Sequence, residues 1–209
     1  MAKLKQTKKL RIPKTHHEDF LKEKGFKVIC GLDEVGRGAW AGPLVASAVI
    51  LNKRLYGLRD SKLLRAKERE KLARKIRASS KVGIGEVSVG EVNNLKLTKA
   101  TQLAFSRALR DLRVNCDFVL IDGNNIKLYP EYKRGACRAL KRGDMICSSI
   151  AAASIVAKVY RDKLMRKLDK EIKGYNFSSH KGYGTKEHQA KLKKLGPSKA
   201  HRMFYKSLK

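Results

Sequence analysis

The sequence predicts an α/β domain with a helical C-terminal region. Short apolar runs typical of strands precede the strongest helical pattern, which covers residues 148–172. A helical pattern also lies between strand-like runs, and such alternation is typical of a sheet flanked by helices. The hydrophobic fraction of 42% over 209 residues allows one sizeable core and excludes a disordered chain.

The first predicted elements are a basic lead-in, two strands and a helix. Residues 1–26 are polar and aperiodic, so we expect a flexible or loosely held extension. "KVICGLD" at 27–33 and "PLVASAVIL" at 43–51 predict strands, and the glycine-rich segment between them suits a hairpin. "DSKLLRAKEREKLARKIRA" at 60–78 predicts a helix with Ser61 as its cap.

The remaining predicted elements alternate before the chain becomes helical. They are a strand at 82–90, a helix at 98–113, a strand at 118–122, a long helix at 148–172 and a short basic helix at 186–195. Ser148 or Ser149 can cap the long helix, and the small residues of its first half allow close approach to a sheet.

The charge balance predicts a polyanionic partner. Lys and Arg number 49 against 19 Asp and Glu, a net charge of +30, which favours nucleic acid over an anionic membrane surface.

Apolar runs stay well short of the roughly 18 residues of a membrane span, and the start lacks an apolar signal region, so we expect a cytoplasmic protein. The four cysteines lack zinc spacing and are expected to be reduced thiols.

Acidic residues are scarce, and four of them are placed where they can meet. Asp33 and Glu34 end the first strand, Asp122 ends "FVLID", and Asp144 precedes the long helix. If the two strands are neighbours, these carboxylates converge at one edge of the sheet and repel one another unless a cation neutralises them. Mg²⁺ or Mn²⁺ prefers such an oxygen-only setting, and a pair of such ions can hydrolyse a phosphodiester.

Other interpretations of the same segments stay open. "DGNN" is a common turn, and Asp33 and Glu34 also suit a solvent-facing turn. The run "GRGAWAG" does not fit the dinucleotide-binding fingerprint, because it has one residue too many and follows the acids. His180, His188 and His201 lack zinc spacing and are expected to be structural or surface residues, and Asp162 is expected to pair with a nearby basic residue.

The chain resembles type 2 ribonuclease H, the bacterial ribonuclease HII family. "GLDEVGRGAWAGPLVASAVIL", "DSKLL", "LIDGN", "KRGD" with "SIAAASIVAKVYRD", "HKGYGTKEH" and "GPSKAHRMF" follow one another in the family order over about residues 27–204. The resemblance implies a ribonuclease H-like fold, a central mixed β-sheet flanked by helices. It also implies a catalytic domain at 27–172 and a C-terminal helical region at 173–209 that contributes to substrate binding.

The resemblance implies hydrolysis of RNA in RNA–DNA hybrids and of duplex DNA that contains ribonucleotides. The cut lies 5′ to the ribonucleotide and leaves a 3′-hydroxyl and a 5′-phosphate. The metal-binding acids fall on Asp33, Glu34, Asp122 and Asp144, the same four residues that the sheet-edge argument selects. Gly36, Arg37 and Gly38 fall on the element that reads the ribose 2′-hydroxyl, Tyr183 on the tyrosine beside that ribose, and Ser61 and Lys62 on phosphate contacts.

Two rival functions account for part of these features. A noncatalytic, ribosomal-type RNA-binding protein explains the charge but not the acids at strand ends. A transposase-like strand-transfer enzyme shares the acid-and-metal chemistry but not the "GRG" and "GYGT" elements. We expect a monomer acting in ribonucleotide removal and primer clearance, and the sequence leaves recruitment by a sliding clamp open.

Overall fold

The computed structural model describes residues 15–58, 61, 64–124 and 136–205. The strands in these ranges are β1 Ile29–Val35, β2 Leu44–Leu51, β3 Ser80–Val87, β4 Phe118–Asp122 and β5 Ala136–Leu140. The helices are α1 His16–Glu23, α2 Ala66–Ser79, α3 Val89–Asp111, α4 Gly143–Ile146, α5 Ser148–Glu171, α6 Phe177–His180 and α7 Lys186–Leu195. This order of elements confirms the predicted α/β class.

The five strands form one mixed sheet in the order β3-β2-β1-β4-β5. β1 and β2 pair antiparallel through the predicted hairpin, and β3 extends this antiparallel half. β4 lies parallel to β1, and β5 lies parallel to β4. β1 is therefore central, and its C-terminal end lies beside the C-terminal end of β4.

Side chains of β1 alternate between the two faces of the sheet, and this alternation places the first acid. Cys30 and Leu32 pack into the core on the α3 side. Gly31 faces α5, where an added Cβ would stand 2.1 Å from the backbone of Ser149. Asp33 is two residues beyond Gly31 and so emerges on the α5 side.

Helix α5 covers one face of the sheet with small, buried residues. Ala151, Ala152 and Ala153 pack in one core cluster with Val49 of β2 and Ile76 of α2. The predicted long helix and its close approach to the sheet are thus confirmed. The expected partner of Asp162 is Lys158, one turn earlier on the helix, with Nζ 2.7 Å from Oδ1.

The predicted caps of two helices are wrong. Ser61 lies outside α2, whose N-cap is Arg65, and Glu68 accepts the Arg65 N–H at 3.0 Å. Ser148 and Ser149 are the first residues of α5 and do not cap it. A carboxylate distant in sequence acts there instead, because Glu18 Oε1 accepts the Ser149 N–H at 2.7 Å.

The segment predicted as an aperiodic lead-in contains a packed helix within its described residues. Leu21 of α1 is buried with Phe118 and Leu120 of β4, and the ring of Phe26 meets that of Phe118 edge-on at 4.9 Å. The expectation of a loosely held lead-in is therefore wrong for residues 15–26. The division of the chain at residues 26 and 172 stays a prediction.

The described helices include none whose length and apolar character would carry it through a lipid bilayer.

Candidate active site

Two of the four predicted acids end adjacent parallel strands. Leu32 of β1 pairs with Ile121 of β4, so the next residues, Asp33 and Asp122, stand side by side at one edge of the sheet. Both lie on the face that α5 covers, because side chains alternate along each strand. The pairing confirms the predicted adjacency of the two strands, and Glu34 follows Asp33 at the same edge.

Asp144 reaches this edge from the short helix α4. The Gly143 N–H donates to Asp122 Oδ1 at 2.7 Å, which ties the start of α4 to the end of β4. Asp144 itself is 6% exposed. Three separate segments of the chain therefore contribute carboxylates, and we refer to Asp33, Glu34, Asp122 and Asp144 as the acidic cluster.

The pKa of Asp33 reflects its burial and the three carboxylates around it. Asp33 is 6% exposed, and burial raises the pKa of its carboxyl well above the ordinary value. The negative charges of Glu34 and Asp122, and to a smaller extent Asp144, raise this pKa further, while a hydrogen bond from Ser154 opposes the shift. The cluster therefore has an excess of negative charge in a mostly buried place.

The donor set of the acidic cluster fits a hard divalent cation. Four carboxylates supply only oxygen ligands, and a bound cation would offset the burial and the repulsion that together raise the pKa of Asp33. Asp33 Oδ1 accepts the Glu34 N–H at 2.7 Å, which orients this carboxylate. Among the residues that the structure describes, no three acids, histidines or cysteines lie close enough together to hold a metal ion.

Ser61 lies behind the acidic cluster. Its hydroxyl is buried 3.0 Å from Ser154 Oγ, and Ser154 in turn hydrogen-bonds Asp33. Arg69 donates to the Ser61 carbonyl at 2.5 Å. The structure thus connects Ser61 to Asp33 through Ser154, and its contact with phosphate stays a prediction. Lys62 lies outside the described residues.

The glycine-rich turn, residues 36–43, follows the acids directly. Gly36 is buried with φ +88°, and a Cβ there would stand 2.1 Å from Arg161 Nε. Gly38 is exposed, and a Cβ there would meet no described atom within 4 Å. Packing inside the protein explains the glycine at 36 but not the glycine at 38, where the open space faces solvent.

Two buried arginines hold the glycine-rich turn, and neither was predicted from the sequence. Arg202 donates to the carbonyls of Gly36, Arg37 and Gly42. Arg161 donates to the carbonyls of Ala41, Pro43 and Lys181. Burial lowers the pKa of Arg202 to about 10. A chain with 49 Lys and Arg offers no sequence signal that two of them are buried.

Tyr183 lies beside the same turn, in the loop between α6 and α7. The Trp40 N–H donates to the Gly182 carbonyl at 2.8 Å, which joins the loop to the turn. The Arg161 guanidinium lies over the half-buried Tyr183 ring, 5.5 Å from its centroid. The structure therefore brings Tyr183 and the glycine-rich turn together around one arginine.

Three histidines fix the loop that carries Tyr183, as expected for structural residues. His188 Nδ1 lies 3.0 Å from the Tyr183 carbonyl, and His188 Nε2 lies 3.0 Å from His201 Nε2. The Ser198 N–H donates to His201 Nδ1 at 2.9 Å, so a consistent tautomer chain runs from Ser198 to Tyr183. The rings of His180 and His188 stack at 4.3 Å, and burial lowers the pKa of His188 to about 4.

Comparison with known proteins identifies relatives along most of the chain. The sequence profile of the family described as Ribonuclease HII matches residues 30–208. A Ribonuclease HII from Cereibacter sphaeroides is 44% identical over 196 residues, which cover 93% of this chain and 91% of the relative. These matches support the resemblance drawn from the motifs.

Solved structures share the fold at lower identity. The chain in the PCNA:RNase HII complex from Archaeoglobus fulgidus has a TM-score of 0.74 at 24% identity, covering 86% of this chain and 96% of that one. Bst-RNase HIII in complex with Mn²⁺ has a TM-score of 0.64 at 18% identity, covering 87% of this chain and 68% of that one. These likenesses confirm the predicted ribonuclease H-like fold.

Proposed function

The chain belongs to the ribonuclease HII family, and from this premise we propose where and how it cuts. Membership makes it a ribonuclease H, a hydrolase that cleaves RNA in RNA–DNA hybrids. We propose that it cuts 5′ to ribonucleotides, including single ribonucleotides embedded in duplex DNA, and leaves a 3′-hydroxyl and a 5′-phosphate. The observation that carries the proposal is the acidic cluster, in which Asp33 and Asp122 end adjacent parallel strands directly beside the glycine-rich turn.

The proposed catalytic residues are the four members of the acidic cluster. Asp33, Glu34, Asp122 and Asp144 would hold Mg²⁺ or Mn²⁺, and the Mn²⁺ complex of Bst-RNase HIII supports divalent metal dependence in proteins of this fold. Such ions activate water and stabilise the leaving oxygen of a phosphodiester. The chain's own contribution is to hold carboxylates of three segments at one sheet edge, with Asp33 oriented by Ser154 and by the Glu34 N–H.

The proposed ribose contacts lie next to these acids. Gly38 has no described neighbour at its Cβ position, so a substrate can approach the backbone of Arg37 and Gly38 closely. The Arg161 guanidinium contacts both the Tyr183 ring and carbonyls of the turn, so Tyr183 lies beside the turn. Because the 2′-hydroxyl distinguishes RNA from DNA locally, a site that contacts it can select a single ribonucleotide.

The surrounding charge is proposed to hold the duplex by its phosphates. The net charge of +30 favours phosphate contacts that do not depend on sequence. Lys62, which follows Ser61 in the sequence, is proposed to make one of these phosphate contacts. We assign Lys62 this role from its place in the sequence.

A duplex with one ribonucleotide, incubated with Mg²⁺ or Mn²⁺, tests the proposal. We expect a single nick on the 5′ side of the ribonucleotide, no nick in the all-DNA duplex, and no nick when EDTA removes the metal. End-labelling then identifies the 3′-hydroxyl and the 5′-phosphate. Binding without cutting would instead support a noncatalytic RNA-binding protein. Equal cutting of the all-DNA duplex would favour a transposase-like activity.

The cellular setting is also proposed. Removal of embedded ribonucleotides and of RNA primers requires a cut at an RNA–DNA junction, so we place the enzyme in ribonucleotide excision and DNA replication in the cytoplasm. We further propose that it acts as a monomer and that a sliding clamp can recruit it. The archaeal PCNA:RNase HII complex supports the clamp, and co-elution of this chain with its host's clamp tests it.

A further inference from the structure

We propose that Arg202 is a positioning residue that sets the preference for ribose over deoxyribose. It would do so by holding the backbone of the glycine-rich turn, without contacting the substrate. The inference rests on the proposed function, since it concerns the same ribose-reading element. Arg202 is 0% exposed, so a direct contact with phosphate or sugar is not available to its side chain.

The guanidinium of Arg202 donates hydrogen bonds to carbonyl oxygens of the glycine-rich turn. Nη1 donates to the Gly36 carbonyl at 2.7 Å and to the Arg37 carbonyl at 3.2 Å. Nε and Nη2 both donate to the Gly42 carbonyl, at 3.0 and 2.8 Å. A planar fork with five N–H donors suits such a set, whereas a lysine ammonium is a single compact donor group.

These bonds determine which way the peptide N–H groups of the turn point. In a trans peptide the carbonyl of one residue and the N–H of the next point in opposite directions, and the described chain has no cis peptide bond. Because the carbonyls of Gly36 and Arg37 point inward to Arg202, the N–H groups of Arg37 and Gly38 point outward. Two successive donors therefore face the open space beside Gly38, where they suit a hydroxyl oxygen.

A second side chain supports the same peptide plane from the surface. The Tyr205 hydroxyl donates to the Arg37 carbonyl at 2.9 Å. The Arg202 N–H also donates to the Trp40 carbonyl at 2.8 Å, so the backbone of Arg202 holds the middle of the turn while its side chain holds both ends. Loss of either the guanidinium or the tyrosine hydroxyl would loosen the plane that carries the outward Gly38 N–H.

The test compares binding to two duplexes that differ by one 2′-hydroxyl. Fluorescence anisotropy in EDTA gives the Kd of each duplex without cutting, and the ratio of the two values is the ribose preference. The variants are Arg202→Lys and Tyr205→Phe. The matched control is Tyr160→Phe, which removes a tyrosine hydroxyl bonded to Glu86 at 3.2 Å, away from the turn.

We expect Arg202→Lys to reduce the ribose preference about tenfold and Tyr205→Phe about threefold, the range that loss of one or two oriented hydrogen bonds produces. The Kd of the all-DNA duplex should change by less than about twofold, because phosphate contacts dominate it. Tyr160→Phe should keep the wild-type preference. Thermal melts identify a variant that does not fold, and if Arg202→Lys fails this check then Tyr205→Phe decides.

Three results would overturn the inference. Folded variants that keep the full preference would show that the turn holds its orientation without these donors. An equal loss of affinity for both duplexes would show that Arg202 is only structural. A wild-type protein that binds both duplexes equally would leave Arg202 no preference to set. Failure to nick the ribonucleotide-containing duplex with Mg²⁺ or Mn²⁺ would instead remove the proposed function itself, so the two failures are distinguishable.

Discussion

Replacement of Asp33 by asparagine removes a charge from the acidic cluster while keeping the side-chain shape. We expect Asp33→Asn to abolish nicking of a ribonucleotide-containing duplex, because it removes a carboxylate proposed to hold the cation. Affinity for the duplex should stay largely intact, since lysine-rich phosphate contacts dominate binding. The Tm should rise, because asparagine avoids the cost of burying a charged carboxylate and the repulsion from its neighbours. These are the two effects that raise the pKa of Asp33.

Asp169→Asn is a suitable control for this variant, since Asp169 lies on α5 outside the cluster and should leave nicking unchanged. Wild-type turnover by Asp33→Asn would show that the catalytic site has been misplaced. Nicking assays, anisotropy and thermal melts on the same preparations separate the three effects.

Tyr183 differs from the acids because its proposed role is to contact the ribose. Tyr183→Ala should lower cutting at a single ribonucleotide about tenfold or more, while folding changes less, because the ring is half-buried and its backbone is held by His188. Single-turnover cutting and a thermal melt measure the two effects. A fall of more than about 10 °C in Tm would instead assign Tyr183 to the core.

At this scale the sequence predicted the carboxylates but not their supports. Acids are informative in a chain with only 19 of them, and two stood at the ends of recognisable strands. Ser154, Arg161 and Arg202 carry no such signal, because their roles depend on contacts with residues far away in sequence. Arg202, for example, bonds a carbonyl 166 residues earlier.

The contact between β1 and α5 is close enough to test with a single methyl group. Gly31→Ala should destabilise the fold by about 2–4 kcal/mol, because its Cβ would stand 2.1 Å from the Ser149 backbone, which cannot move aside without shifting α5. Gly90→Ala is the matched control. A Cβ there meets open space in α3, so alanine should stabilise by about 0.5–1 kcal/mol. Urea unfolding measures both, and equal effects would contradict the close packing.

The histidines that join α7 to the segment after it make stability depend on pH. Burial lowers the pKa of His188 to about 4, so the folded protein leaves this ring neutral where an unfolded chain, with a histidine pKa near 6.5, takes up a proton. Stability from His188 is therefore present above pH 6.5 and is lost as the pH falls from 6.5 towards 4, by at most about 1.4 kcal/mol per pH unit.

Urea unfolding at pH 7, 6 and 5 measures this dependence. His188→Gln should show a shallower loss than wild type, and His16→Gln, a change at an exposed residue of α1, should keep the wild-type slope. The comparison between variants isolates His188 from Asp33, whose raised pKa acts in the opposite direction. Parallel curves for all three proteins would contradict the assignment.

The predicted strands and the long helix were correct because each has a local pattern of apolar or small residues. β5 was not predicted, since "ACRAL" forms an outermost strand of the sheet, is mostly exposed and lacks apolar alternation. The predicted cap of α2 was wrong because this helix begins after Arg65 and not after Ser61. The predicted caps of α5 were wrong because a distant carboxylate takes the place of the local serines. Glu18 caps α5 across 131 residues, a contact that no local pattern reveals.

The excess positive charge makes duplex binding strongly dependent on salt. If about five phosphates are neutralised, affinity for any duplex should fall roughly 500-fold between 50 and 200 mM salt. The ratio of affinities for ribonucleotide-containing and all-DNA duplex should stay constant, because the proposed ribose contacts are uncharged. Anisotropy titrations at four salt concentrations measure both. A ratio that falls with salt would place the ribose preference in ion pairs.

The long sequence separation between Gly36 and Arg202 also has a consequence for the protein during translation. At ribosomal rates of about 5–20 residues per second, the sequence separation of 166 residues takes roughly 10–30 s to synthesise. Throughout this interval a nascent chain already carries cationic segments, but the turn proposed to read the ribose lacks the guanidinium that holds it. A partly synthesised chain can therefore bind nucleic acid nonspecifically before it can distinguish a ribonucleotide from a deoxyribonucleotide.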